Sequence, residues 1–214
     1  MGKAVGLALC VAVLTATSGF GAALATEVET RDFEVFRNGE RIGHHRVEIA
    51  RDGERSVVNV DINLRVTFGP LTLYRYVHQS REEWRGNRLV SLVSSTDNDG
   101  DAETLRAVAE GDGLKVNGTR FTGMLPADTM PTSYWRGDFV RRHTIMDSQN
   151  GRVLDLRVQP ESFETASAAR DEIPARRFHL TGDIDLTLWY DREGHWVKSA
   201  FRAKDGSQVE YRLR

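Results

Sequence analysis

From Val58 to Phe68 the chain alternates without a break: Val58, Val60, Ile62, Leu64, Val66 and Phe68 are apolar, and Asn59, Asp61, Asn63, Arg65 and Thr67 are not. A period of two sustained over eleven residues describes a β-strand with one face covered and the other wet. Antiparallel sheets permit that asymmetry, whereas parallel sheets are covered on both faces. Turn signals recur every eight to fifteen residues from Arg31 onward, a spacing that fits all-β architecture rather than βαβ units.

The punctuation is specific. Asn38-Gly39 is a two-residue hairpin signal, and Asp52-Gly53, Gly69-Pro70, Arg85-Gly86-Asn87, Asp97 to Asp101, Gly111-Asp112-Gly113, Glu193-Gly194 and Asp205-Gly206 follow it. Between them lie extended segments, ending in a short strand at Leu114 to Val116 and, later, in three strands around Ile184 to Tyr190, His195 to Ala203 and Val209 to Leu213. Phe163 to Arg170 is ambiguous and runs to a break at Ile173-Pro174. A helical stripe is missing apart from a turn or two near Asp138 to His143. The expected fold is mainly β: an antiparallel meander forming a curved sheet, half-barrel or barrel, with little helix. Short connections make consecutive strands spatial neighbours.

The N-terminus sets an address. Lys3 supplies a positive start, Leu7 to Leu14 is uncharged and apolar, and Ala23-Leu24-Ala25 has the small-residue pattern of a cleavage site. Thr15, Thr17, Ser18 and Gly19 interrupt the apolar stretch, which falls short of the roughly 20 residues that span a bilayer. Residues 1–25 are therefore expected to be a cleaved signal peptide, and 26–214 a single β-rich domain in the bacterial periplasm or secreted, with no integral membrane span after cleavage. Cleavage leaves 28 basic against 31 acidic side chains, a net charge of −3. Near-neutral charge without a basic block argues against nucleic acid as a partner. The one cysteine, Cys10, lies in the leader, and a mature domain without thiols suits an oxidising compartment. Leu9 before Cys10, with apolar residues continuing after it, argues against a lipidated cysteine.

Candidate chemistry is thin. His44 and His45 are adjacent, so in a strand they face opposite ways and cannot share one ion. His78, His143, His179 and His195 are scattered, without ligand spacing, so no metal and no cofactor is expected. Asp97-Asn98-Asp99-Gly100-Asp101 resembles the start of a calcium loop, but Ala102 and Val108 stand where the loop needs Gly and Glu, which leaves a hairpin turn. Ser133, His143 and Asp147 supply the residue types of a nucleophilic triad without a flanking signature. Glu82 and Glu83 face apart as strand neighbours and read as solvated charge beside a core Trp84. Between Gly123 and Arg142 the strand pattern lapses, and Met124, Leu125, Met130, Tyr134 and Trp135 supply apolar bulk. The plain reading is a loop that plugs one end of the barrel or sandwich. The functional reading is a binding surface, because long loops on β scaffolds carry function.

Four motifs resemble those of a family of exported bacterial proteins, domain of unknown function 6134. They are F-E-V-F-R-N-G-E-R-I-G at Phe33 to Gly43, E-W-R-G-N-R-L at Glu83 to Leu89, S-Y-W at Ser133 to Trp135, and L-T-G-D with L-W-Y-D between Leu180 and Asp191. The resemblance implies an envelope location and a β fold, and assigns no catalytic residue. More distantly, an exported meander with one apolar face resembles the curved half-barrels of lipoprotein carriers. The leading expectation is thus a non-catalytic protein that shelters an apolar, lipid-like ligand or docks an envelope partner. Val58, Ile62, Leu64, Val66 and Phe68 would line the wall, Tyr134 and Trp135 would stand near the mouth, and Met124 and Met130 are further candidate ligand contacts. Alternatives are an envelope hydrolase acting on an ester or glycan, and an interaction protein that offers an exposed sheet edge.

Overall fold

The computed structural model describes residues Glu27–Arg214; the expected leader and its cleavage site lie outside the described residues. The fourteen strands are β1 (Glu27–Arg37), β2 (Glu40–Asp52), β3 (Arg55–Phe68), β4 (Leu71–Arg85), β5 (Arg88–Asn98), β6 (Asp101–Glu110) and β7 (Gly113–Gly118). They continue as β8 (Thr122–Pro126), β9 (Thr144–Met146), β10 (Val153–Ser167), β11 (Glu172–Gly182), β12 (Leu186–Tyr190), β13 (Trp196–Arg202) and β14 (Gln208–Leu213). A single 3-10 turn, Gly137–Arg141, is the one helical element among the described residues.

All fourteen strands form one antiparallel sheet in the order β8-β7-β6-β5-β4-β3-β2-β1-β14-β13-β12-β11-β10-β9. Each strand pairs with its sequence neighbour except at one place, where β1 pairs with β14 and Phe33 stands opposite Leu213. First and last strands thus meet inside the sheet, and its two edges, β8 and β9, are joined by Ala127 to His143. The sheet curls without closing its hydrogen-bond ladder. The expected curved meander is present, and the half-barrel description fits it better than a barrel.

The upper end of the curled sheet is where the β4–β5 turn (Gly86-Asn87) lies, and the lower end is where the β3–β4 turn (Gly69-Pro70) lies. Asn38 and Gly39 adopt φ +50° and +85°, the pair of positive values that a type I′ hairpin needs. The inward residues of successive strands form the core, among them Val47 and Ile49 on β2, Val58, Val60, Ile62 and Leu64 on β3, Leu92 on β5, and Leu188 on β12. Burying each such side chain contributes about 1.5–3 kcal/mol. The concave side is filled rather than hollow. Met130, Trp135 and Phe139 of the edge-joining segment are buried within it. At the lower end the turn after β9 reaches across, with Ser94 Oγ donating to the Ser148 carbonyl and Asn150 to Glu103.

Three expectations need correction. Met124 and Leu125 belong to β8, so the irregular stretch starts later than Gly123. Phe163 to Ser167 continues β10, with a register shift between Pro160 and Phe163. Pro174 does not break the chain but sits within β11, at a level where β11 pairs with β10 and not with β12; a residue without an N–H is tolerated where one side of a strand is unpaired.

Candidate functional site

The plugging segment enters from the upper end of β8, runs beside β9, and returns to the upper rim. Met130 and Thr132 exchange backbone bonds with Met146 at 2.8 and 3.0 Å, and Arg136 bridges to His195. Tyr134 packs on Phe139 and Trp196 and accepts at its carbonyl from the Tyr190 hydroxyl at 2.9 Å. Gly137 touches the β12–β13 turn so closely that a Cβ there would stand 2.7 Å from the Gly194 carbonyl oxygen.

A buried carboxylate fastens this segment. Glu82 accepts from the indole N–H of Trp84 at 2.7 Å and from that of Trp135 at 3.2 Å. The Arg136 guanidinium lies over both rings, 5.1 and 5.4 Å from their centroids, and is held by Asp138 and Asn87. Burial pushes the Glu82 carboxyl above its ordinary range, against the opposing pull of Trp84, Ser133, Trp135 and Arg136. This corrects the expectation of a solvated Glu82. Glu83 does face outward, to Arg55 and Arg81.

Between the plug, the β10–β11 wall and the β12–β13 turn lies an open groove of about 870 Å³ at the upper end. Its floor is apolar and aromatic: Trp135, Val158, Phe178 and Tyr190. Its rim carries Arg51, Arg141, Arg176 and Arg192, with Arg136 at its base. Arg51 is paired with Glu29 and Arg136 with Asp138. The side chains of Arg141, Arg176 and Arg192 make no ion pair or hydrogen bond among the described residues, although Arg192 lies 5.3 Å over the Phe163 ring. Exposed guanidinium groups around an apolar floor suit a molecule with an anionic head and an apolar body.

Asp191, Glu193 and His195 stand on the same rim and bring one ligand atom each within 4.8 Å of one another. The turn already uses this set. Asp191 accepts from the His195 backbone N–H at 2.7 Å and pairs with the ring Nδ1 at 3.0 Å, which leaves Glu193 as the one unengaged member.

The structure scatters the six residues read from the sequence. Tyr134, Trp135 and Met130 lie in the plug, and Trp135 reaches the groove floor. Met124 is exposed on β8. Val66 and Phe68 sit at the lower tip of β3, where Phe68 pairs with Leu71. Trp135 packs on Trp84, thirteen positions farther along β4 than Leu71, or roughly 40 Å at strand rise. Val66 and Phe68 therefore share no site with Trp135. Other histidines behave as strand geometry requires: His44 faces out to Asp61 at 2.9 Å, while His45 faces in against Trp196 and Tyr211. In the turn after β5, Asp97 accepts from the Gly100 N–H and from Arg75. Ser133 is buried beside Glu82, Asp147 caps the turn after β9, and His143 is exposed; no hydrogen bond joins the three.

The groove arginines escaped sequence reading because they come from the plug, β11 and the β12–β13 turn, and no two of the three unpaired ones are near in sequence. The one local signal was Trp135-Arg136 within an otherwise irregular stretch.

Comparison with solved structures finds the crystal structure of a β-barrel-like protein of domain of unknown function DUF1849 from Brucella abortus, with a TM-score of 0.57 and 13% identity, covering 89% of this chain and 96% of that one. At that identity the likeness concerns the fold. No curated protein matches the chain. Residues 33–214, nearly the whole described domain, match the family described as domain of unknown function DUF6134, and to that family the chain belongs.

Proposed function

We propose that this domain is a non-catalytic binding protein whose upper groove takes an amphiphile with a carboxylate or phosphate head. One observation carries the reading: three unpaired arginines, Arg141, Arg176 and Arg192, surround an apolar floor of Val158, Phe178, Tyr190 and Trp135. The head would sit among the guanidinium groups and the apolar body along the floor. The filled concave side argues against storage of a chain deep inside, so the ligand would lie in the groove rather than within the sheet.

Binding is favoured over turnover by the state of the polar groups. Asp138 is tied to Arg136 and Asp191 to His195, and the residues lining the groove include no serine, threonine or cysteine. We further place the domain in the bacterial envelope after removal of residues 1–25, a reading supported by the leader pattern and by a domain without thiols. The mass of protein recovered from a periplasmic fraction tests that placement.

Calorimetric titration with dodecyl phosphate tests the groove. Saturable binding that weakens at least tenfold in R141Q/R176Q/R192Q and falls with added salt is expected. Absence of saturable binding, or equal affinity in the triple variant, would overturn the reading.

A further inference from the structure

At the lower end, β3 and β4 outrun both neighbours. Pairing of β2 with β3 stops at Gly43 opposite Leu64, and pairing of β5 with β4 begins at Tyr76 opposite Asn98. Arg75 is tied by its backbone to Asp99 in the β5–β6 turn, and beyond it the backbones of Val66 to Phe68 and Leu71 to Tyr74 pair only with each other, a two-stranded ribbon about 10 Å long. Gly69 turns it with φ +55°; Pro70 follows, and its ring forbids a positive φ, so the turn is of type II′.

This ribbon ends in apolar surface that none of the described residues covers. Phe68 is 74% exposed, Leu71 61% and Leu73 58%, together about 400 Å², the size at which an apolar patch on a monomer is often functional. The rungs behind the tip change character in order. Phe68–Leu71 is apolar, Thr67–Thr72 carries hydroxyls, Leu73 bulges out of register, Val66–Tyr74 follows, and Arg65–Arg75 is doubly cationic. Like charges directly opposed on a sheet repel. Arg75 is held by Asp97 at 2.6 Å, whereas Arg65 makes no ion pair or side-chain hydrogen bond among the described residues.

We propose that this tip inserts into the surface of a phospholipid leaflet. The sequence of rungs matches the depth order of such a surface: acyl chains at the tip, ester and glycerol groups at the threonines, and phosphates at Arg65. The Arg65 rung lies about 10 Å behind the tip rung, which agrees with the ~5–10 Å to which interfacial segments enter the headgroup boundary. A second copy of the chain is the poorer occupant, because a stable dimer buries about 800 Å² on each partner, roughly twice what this narrow convex tip offers.

The full chain carrying F68W tests the tip directly, since a reporter there is blind to anything the leader does. With vesicles of phosphatidylcholine and phosphatidylglycerol, the introduced tryptophan should shift its emission to the blue and be quenched by lipids brominated high on the acyl chain. V93W, which reports from the exposed outer face of β5, should show neither change. Adding R65Q to F68W should raise the lipid needed for half the shift about fivefold on these vesicles and leave it unchanged on phosphatidylcholine alone. No shift at position 68, an equal shift at position 93, no effect of R65Q, or a blue shift that grows with protein concentration in the absence of lipid would each overturn the proposal.

Discussion

Strand β3 carries one apolar stripe with two fates. Val58, Val60, Ile62 and Leu64 are buried, while Val66 is half-buried and Phe68 is mostly bare. Chemically the two halves are alike, and the alternation runs through both. They differ in their neighbours: the first half lies between β2 and β4 beneath the plug, and the second has only β4 beside it. Periodicity thus names the face a side chain takes, whereas burial depends on what the rest of the chain lays against that face.

Removing the cover should have the largest effect. Glu82→Ala strands the indole N–H groups of Trp84 and Trp135; a loss of about 4 kcal/mol is expected from two buried donors left without an acceptor. Chemical denaturation followed by tryptophan emission measures it, and a loss below 1 kcal/mol would mean the plug is held by packing alone. Hollowing the covered half comes next. Ile62→Ala should cost about 3 kcal/mol.

Charging the covered half sharpens the contrast without mutation. Ile62 stands in register between His45 and His78, and burial depresses both imidazoles, His45 to about 3 and His78 to about 4. Both groups are neutral in folded and unfolded chains above pH ~6.5, so stability there is insensitive to them. Below that pH the unfolded chain takes up protons that the folded one refuses. Each histidine should then lower stability by up to about 1.4 kcal/mol per pH unit until the folded value is reached. Buried Glu82 and Asp147, pushed upward, act in the opposite sense, since their contribution is present at low pH and lost as pH rises through their folded values. His45→Phe isolates the histidine effect: unfolding curves at pH 7, 6, 5 and 4 should show a flatter acid limb than the parent. The smallest effect belongs to the bare half. Phe68→Ala should change the unfolding free energy by no more than about 0.5 kcal/mol; a cost near that of Ile62→Ala would erase the distinction between the halves.

Turn chemistry and alternation marked most strands of the meander, and apolar bulk in a stretch where the strand pattern lapses marked the plug. Glu82 stayed hidden because the inner face of β4 runs Tyr76, His78, Ser80, Glu82, Trp84, a stripe too polar for hydrophobic periodicity to register. The groove was hidden for another reason: Arg141, Arg176 and Arg192 converge only once the curled sheet brings β11 and the β12–β13 turn up to the plug. Phe68 was assigned to a wall because the strand's length was legible while the earlier ends of its neighbours were not.

The seam between β1 and β14 has a consequence for how the molecule comes into being. Phe33 and Leu213, 180 positions apart, must find each other before the sheet is continuous, and contacts so distant along a chain are slow to form. Until β14 is in place, two separate hairpin arrays wait with raw inner margins. Completion is therefore a single late stitch made by β14, and a chain lacking that one strand would be left with its weakest line through the middle.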